Sequence, residues 1–373
     1  MKNKDRMTAI LITVLSVLTA LPSGILIAYI GFKSGIGVLM IYITFVLSVA
    51  IAMILQTAIH EAGHMVFGLL TGFRFISYRI LSYIVIREND RLKLSRFAIP
   101  GTLGQCLMGT PVDKDKKPYF LYNAGGVIFN LISACICYPL SLLVSNPYLA
   151  ICLAVNGMYA LISLFSNAIP FKGNGVANDG INILEMTKYP DTIDCFYRML
   201  DFYEMMNSGG RSRDIPEDVL DLRESTLTTG GLGASNIIYL ENKLMDEHRF
   251  TEAEELIKDA YEKEYPLLDY HKCLLNLDQK YLDMLKCGFE DFSDKKMLKF
   301  IDSSKARMLS VVRYLYAKAL YQNDRKEADN QLKTFELLEK DYPFKGECKS
   351  EKELMEIAEE KLGQTDIINK ETL

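Results

Sequence analysis

The 373-residue chain reads as an all-α polytopic membrane protein of about four transmembrane helices, with a small membrane-associated β-hairpin and a C-terminal soluble domain of paired helices. Three observations predict this class. Four stretches of the first half reach the roughly 20 apolar residues that a bilayer-spanning helix needs. The part after about residue 185 is instead rich in Lys, Glu and Asp. Between the second and third apolar stretches lies a β-branched and aromatic run. The averages hide this division: mean hydropathy is +0.08 and 24% of residues are charged.

The apolar stretches run over 8–32, 35–70, 120–144 and 148–169. The first follows Lys2, Lys4 and Arg6 and has the look of a signal peptide. Its apolar part is longer than a usual signal core and no small-x-small cleavage site follows, which favours an uncleaved anchor. Lys and Arg placement sets an expected topology. The basic N-terminus stays in the cytoplasm and the turn at Lys33–Gly35 is outside. The segment 74–117 carries nine Lys or Arg and returns to the cytoplasm. The turn Ser145-Asn146-Pro147 has none and is outside, which leaves the polar part cytoplasmic. The expected divisions are 1–34, an anchoring helix; 35–185, a membrane core; 186–233, a connecting segment; and 234–373, a helical domain.

Phe73, Phe75, Tyr78, Ile80, Tyr83, Val85 and Ile86 form the β-prone run. Glu88-Asn89-Asp90 makes a turn, and Leu92 and Leu94 alternate with charges, so 74–94 is expected as a β-hairpin. Pro100-Gly101 and Gly104 then break the chain. In the polar part, Gly230–Gly233 marks a linker. Helix pairs are expected over 236–245 with 251–262 and over 310–321 with 327–340. They resemble tetratricopeptide-type hairpins, with a degenerate copy near 269–285. Such a domain is expected to bind a substrate, partner or peptide in the cytoplasm.

The net charge of −5 gives no reason to expect nucleic acid. Eight cysteines without a Cys-x-x-Cys exclude a disulfide framework and a thiolate zinc site. Two of the four histidines fall in one window, His60-Glu61-Ala62-Gly63-His64. On a helix, residues four apart share a face, so His60 and His64 can grip one ion while Glu61 reaches a metal-activated water. Three ionisable residues at the end of an apolar helix are costly without a function. A catalytic zinc takes three protein ligands and keeps one position open, so a third ligand is expected near the membrane. Asp179, just past the fourth apolar stretch and on the same side, is the candidate. Asn178-Asp179-Gly180 also reads as a plain turn.

In order along the chain, H-E-x-x-H, then Ala124-Gly125-Gly126-Val127-Ile128-Phe129-Asn130, then Asn167-Ala168-Ile169-Pro170 leading to Asp179-Gly180, resemble the site-2 protease family of intramembrane zinc metalloproteases. The resemblance covers about 37–185. It implies zinc on His60, His64 and Asp179, Glu61 as the residue that activates water, a core of three helices, and a β-hairpin beside the site. Gly126 stands where the family has proline, Ile181 replaces a second glycine, and the spacer from Pro170 to Asp179 is long. No PDZ-like stretch is present. Asn130 and Asn167 are intramembrane amides that contact substrate or bridge helices.

The expected function is zinc-dependent endopeptidase action on a membrane protein or peptide in the cell membrane, in a chain whose compactness suggests a bacterium. A membrane scaffold with a vestigial metal site and a partner-binding helical tail, or a zinc enzyme of different chemistry, are the competing classes.

Overall fold

The computed structural model describes residues 2–363 apart from 89–90, 100–101, 112, 114–117, 174–175 and 221. The expected hairpin turn at Asn89-Asp90, the Pro100-Gly101 break and Asn174-Gly175 lie outside these residues. The chain divides into two compact units, Met1–Leu81 with Leu103–Lys188, and Ser82–Thr102 with Tyr189–Leu373.

The first unit is built on α1 (Lys2–Lys33), α2 (Val38–Leu70), α3 (Tyr119–Leu143) and α4 (Pro147–Ala168). Among the described residues these four helices are long and apolar enough to cross a membrane, within a few residues of the stretches read from sequence. Their patterning is inverted relative to a soluble bundle. Leu39, Tyr42, Leu47 and Leu142 face outward and exposed, whereas Gln56, Asn130 and Asn156 are buried. In hydrocarbon, apolar side chains gain nothing by turning inward, so helices associate through small and polar residues. In α2 the buried positions Ser48, Ala52, Gln56, His60, His64 and Gly68 recur every fourth residue, one face of a helix. Gly63 and Gly125 let α2 and α3 touch backbone to backbone; a Cβ on either would strike the other's carbonyl. Pro147 at the first turn of α4 needs no N–H partner, and the Asn146 side chain caps that turn by accepting from the amides of Tyr148 (3.0 Å) and Leu149 (3.1 Å).

The strands are β1 (Arg74–Ile80), β2 (Tyr83–Glu88), β3 (Arg91–Arg96) and β4 (Gly104–Gly109). The expected single hairpin over 74–94 is corrected here. Leu81 adopts φ 54°, a left-handed turn that breaks the aromatic run in two. β2 pairs antiparallel with β3, while β1 pairs with β4, from Arg74 opposite Gly109 to Ile80 opposite Gly104. A strand thus occupies the region read as a break, because Gly104 begins it and does not end it. After α4 come the two-residue strands β5 (Lys172–Gly173) and β6 (Val176–Ala177) and then α5 (Asp179–Lys188).

The second unit joins the β2–β3 hairpin to α6 (Asp191–Asn207), α7 (Glu224–Leu227), α8 (Gly231–Asp246), α9 (Phe250–Glu262), α10 (Asp269–Leu285), α11 (Lys295–Ser304), α12 (Leu309–Tyr321), α13 (Arg325–Asp341) and α14 (Lys345–Leu362). The expected pairs are α8 with α9 and α12 with α13, and the expected middle copy is α10. Gly231–Gly233 is not a linker but the first turn of α8. Four helices end in one manner: α8, α9, α10 and α12 are each followed by a left-handed residue, His248, Glu264, Cys287 and Asn323. In each the next amide reaches back five residues in the Schellman pattern, for example Arg249 N to the Leu244 carbonyl (2.9 Å) and Asp324 N to that of Ala319 (2.8 Å).

Candidate metal centre

The end of α2 carries His60, Glu61 and His64, all nearly buried. The His60 and His64 rings stand edge to face, 4.8 Å apart at an interplanar angle of 83°. Each ring is fixed from behind. His60 Nδ1 lies 2.7 Å from the Asn130 side-chain oxygen and His64 Nδ1 lies 2.8 Å from the Tyr122 carbonyl. Both partners are acceptors, so each Nδ1 carries the proton and each Nε2 presents its lone pair. The two Nε2 atoms are 3.2 Å apart.

Asp179 opens α5 and brings Oδ2 to 3.2 Å from His60 Nε2 and 3.4 Å from His64 Nε2. This oxygen is buried and accepts no hydrogen bond. The preceding Asn178 holds it there. The Asn178 amide nitrogen donates to the carbonyls of Ser166 and Ile169 at the end of α4, both at 2.7 Å, and its oxygen accepts from the amides of Phe171 (3.1 Å) and Ile181 (3.0 Å). Gly180 follows because a Cβ there would meet the Ala168 carbonyl. Asn-Asp-Gly is therefore a turn and a ligand mount at once.

Three lone-pair atoms facing one another within 3.4 Å, with no hydrogen bond reaching Oδ2, repel unless a cation lies between them. His60, His64 and Asp179 can hold a metal ion. Ligands placed tetrahedrally at about 2.0–2.1 Å from a zinc-sized ion stand roughly 3.3 Å apart, which is the spacing seen. The residues fit a metal by donor chemistry, by ring orientation and by the orphaned carboxylate oxygen.

Glu61 lies beneath β4. A Cβ on Gly104 would stand 2.7 Å from Glu61 Oε1 and 2.6 Å from Thr57 Cγ2, so only glycine lets this strand pass so close. β4 has β1 on one side, and among the described residues no strand pairs with its other edge. Burial pushes the Cys106 thiol well up, which keeps this β4 residue protonated and removes it as a competing nucleophile or ligand.

Asn130 and Asn167, expected to contact substrate or bridge helices, both make hydrogen bonds within the bundle. Asn130 is fully buried. Its oxygen serves His60 and the Ser163 hydroxyl (3.1 Å), and its nitrogen faces the Gln56 carbonyl (3.4 Å). Its polar atoms are used inside the bundle. Asn167 donates back to the Ser163 carbonyl one turn earlier (2.9 Å) and keeps a half-buried side chain. Sequence reasoning missed Gln56, Asn178, Gly104, Tyr122 and Arg79. Two of these carried a usable signal: Gln56 one turn before His60, and Asn178 beside the candidate ligand. Gly126 meets the His60 ring so closely that a Cβ would lie 2.6 Å from its nitrogens. Comparison with protein-family models, curated proteins and solved structures finds no match for this chain.

Proposed function

We propose that this chain is a zinc-dependent intramembrane endopeptidase of the site-2 protease type. The observation that carries the reading is the His60–His64–Asp179 triangle with Glu61 beside it, mounted on a helix apolar enough to cross a bilayer. Two imidazoles and one carboxylate suit zinc, which takes three protein ligands in catalytic sites. Zinc held there supplies Lewis acidity and lowers the pKa of water to roughly 7. Glu61 accepts the proton of the attacking water and returns it to the departing amine. His60 and His64 keep their Nδ1 protons on Asn130 and the Tyr122 carbonyl, so neither ring competes for that proton.

A transmembrane substrate pairs its amides within its own helix and must unwind before hydrolysis. The open edge of β4, directly over Glu61, suits an unwound peptide added as a further strand. That edge replaces the 74–94 hairpin as the docking element. Lys and Arg placement supports a multi-pass cell-membrane protein with its N-terminus and helical unit in the cytoplasm. The repeated helix terminators support a tetratricopeptide-like reading of the helical unit, which then binds a cytoplasmic partner.

The test uses the full chain purified in detergent, with metal content measured beside cleavage of a single-span peptide. We expect one zinc per chain in the wild type and in Glu61→Gln, and none in Asp179→Ala. Cleavage is expected in the wild type alone. Retained cleavage by Glu61→Gln overturns the role given to Glu61. A fully active protein without zinc overturns the metalloprotease reading and favours the scaffold class.

A further inference from the structure

Three buried carboxamides of the membrane unit lie in a row, one on each of three helices: Gln56 on α2, Asn130 on α3 and Asn156 on α4, exposed by 0%, 0% and 4%. An amide in an apolar interior is costly unless its donors and acceptors are used. Here each is used on the next. Asn156 Nδ2 donates to the Cys152 carbonyl of its own helix (2.9 Å), which leaves Asn156 Oδ1 toward Gln56 Nε2 (3.5 Å). Gln56 Nε2 donates to the Ser133 hydroxyl (2.9 Å), and Gln56 Oε1 faces Asn130 Nδ2 (3.4 Å). Asn130 Oδ1 then meets His60 Nδ1 at 2.7 Å and accepts from the Ser163 hydroxyl at 3.1 Å.

The row has a direction. The two ends of a carboxamide are alike in shape, and its neighbours decide which one is oxygen. Turning Gln56 over would set its oxygen against Asn156 Oδ1 and its nitrogen against Asn130 Nδ2, like against like on both sides. Turning Asn130 over would set its nitrogen against the Nδ1 proton of His60. The far end of the row is the Cys152 carbonyl, a backbone oxygen that cannot turn. His64 is held differently, since its Nδ1 meets the Tyr122 carbonyl (2.8 Å), an acceptor that belongs to the backbone of α3. One metal-facing ring is therefore aimed by main chain and the other by a row of side chains.

We infer that Gln56 is a positioning residue of the metal centre, which orients Asn130 and, through it, places the proton of His60 on Nδ1 and the lone pair on Nε2. The ligand role of His60 rests on the metal reading above. The row itself does not, because it ends on Nδ1, while the nitrogen beside Asp179 is Nε2 (3.2 Å).

The experiment uses the full chain in detergent. Competition with a chelator measures zinc affinity, and NMR records the imidazole N–H proton signals. It compares wild type, Gln56→Met, Gln56→Glu, Asn130→Ala and the double variant Gln56→Met with Asn130→Ala. Gln56→Met keeps the side-chain length and removes both amide atoms. We expect zinc affinity to fall about tenfold, the lower end for an outer-shell partner. The His60 Nδ1 proton signal, identified as the one that Asn130→Ala displaces, moves while that of His64 stays. Gln56→Glu restores affinity and signal, because a carboxyl group keeps an oxygen toward Asn130 in either charge state. In the double variant Gln56→Met adds nothing to the loss caused by Asn130→Ala, whereas a general loosening of the bundle adds to it. Ser133→Ala, which takes away only the hydroxyl that holds Gln56 Nε2, serves if Gln56→Met does not fold, and an unmoved His60 signal there overturns the inference. So does an unchanged zinc affinity in Gln56→Met, an equal movement of both imidazole signals, losses that add in the double variant, or a Gln56→Glu that behaves like Gln56→Met. A wild type that binds no zinc overturns the metal reading instead, and the His60 signal still decides whether Gln56 acts through Asn130.

Discussion

The two units bury charge in opposite ways. In the helical unit Arg313 is buried with Asp278 and Glu351 against it, and its guanidinium lies 4.6 Å from the Tyr281 ring centre. Burial, with Asp278 adding to it, pushes the nearby Glu241 carboxyl well above the usual range. Arg211 and Arg213 likewise share Asp246 and Glu353. Asp278, Glu351, Asp246 and Glu353 each have a guanidinium against them, and the clusters hold helices together. In the membrane unit the buried set of two Nε2 atoms and one carboxylate oxygen is unbalanced. Every other polar contact nearby, from Asn130, Tyr122 or Asn178, is spent aiming it. A compensated buried cluster points to architecture, and an uncompensated one that its surroundings keep aimed points to a ligand.

The contrast breaks if the two clusters respond alike to the loss of one member. Asp179→Ala is expected to lose zinc and all measurable cleavage while the chain's zinc-free thermal midpoint stays within a few degrees, since it removes a repulsion. Arg313→Met is expected to do the reverse. It strands two carboxylates in the helical core, which costs about 3–5 kcal/mol, while zinc per folded chain is unchanged. Calorimetry and metal analysis on the two variants decide this. A large loss of midpoint in zinc-free Asp179→Ala makes that site a structural salt bridge.

The next effect is smaller and sharpens the same point. Asn130→Ala leaves all three ligands but removes the acceptor that fixes the His60 ring. Zinc affinity is expected to fall about 10–100-fold, the usual weight of an outer-shell partner. Competition with a chelator measures it. An unchanged affinity returns Asn130 to the role of a helix bridge.

What was legible in the sequence follows the same division. Apolar length placed the four long apolar helices, and periodicity placed α8, α9, α10, α12 and α13. His60 and His64 were legible because a helix fixes their geometry within four residues. Asp179 was legible only as a candidate, since its partners lie more than a hundred residues away. The β1–β4 pairing was not legible. It depends on Leu81 taking a left-handed turn and on Gly104 being needed against Glu61, neither of which leaves a periodic signal. Nor was the packing of Phe97 on Tyr342 and Phe344, a contact across some 245 positions of chain. Asn130 was noticed for its placement in an apolar helix, yet its role was set by a neighbour on another helix.

The helical unit also carries two single titrating groups whose effects on stability oppose each other. Burial lowers His271 to about 4 from an ordinary 6.5. Between those values the unfolded chain holds a proton that the folded chain refuses, so this group's contribution is complete above pH 6.5 and is lost as pH falls toward 4. Burial, helped by Glu351, raises Glu347 to about 7 from 4.5. There the folded chain holds the proton, so stability present below pH 4.5 is lost as pH rises through 7. Glu347→Gln keeps an acceptor for the Tyr342 hydroxyl, now at 2.8 Å, and is expected to raise the thermal midpoint at pH 8 but not at pH 4. A midpoint gain of equal size at both pH values rules out titration as the cause.

The smallest expected effect concerns the repeated helix ends. Glu264 takes φ 50° after α9, a conformation that costs a residue with a Cβ roughly 1 kcal/mol and glycine almost nothing. Its amide still donates to the Tyr261 carbonyl (3.2 Å) and the Tyr265 amide to that of Ala260 (3.3 Å), so glycine keeps the whole terminator. Against this gain, glycine widens the unfolded ensemble. The net for Glu264→Gly is therefore a stabilisation of no more than about 1 kcal/mol, seen as slower exchange over α9 and α10 with zinc content and cleavage untouched. The same exchange of residue at Leu81 has a different consequence. That turn accepts from Arg79 Nη1 at its carbonyl (2.8 Å) and donates its amide to the Leu103 carbonyl (2.7 Å) just before β4, so a freer residue there is expected to quicken exchange in β4. Matching responses at both positions remove any special status for the Leu81 turn.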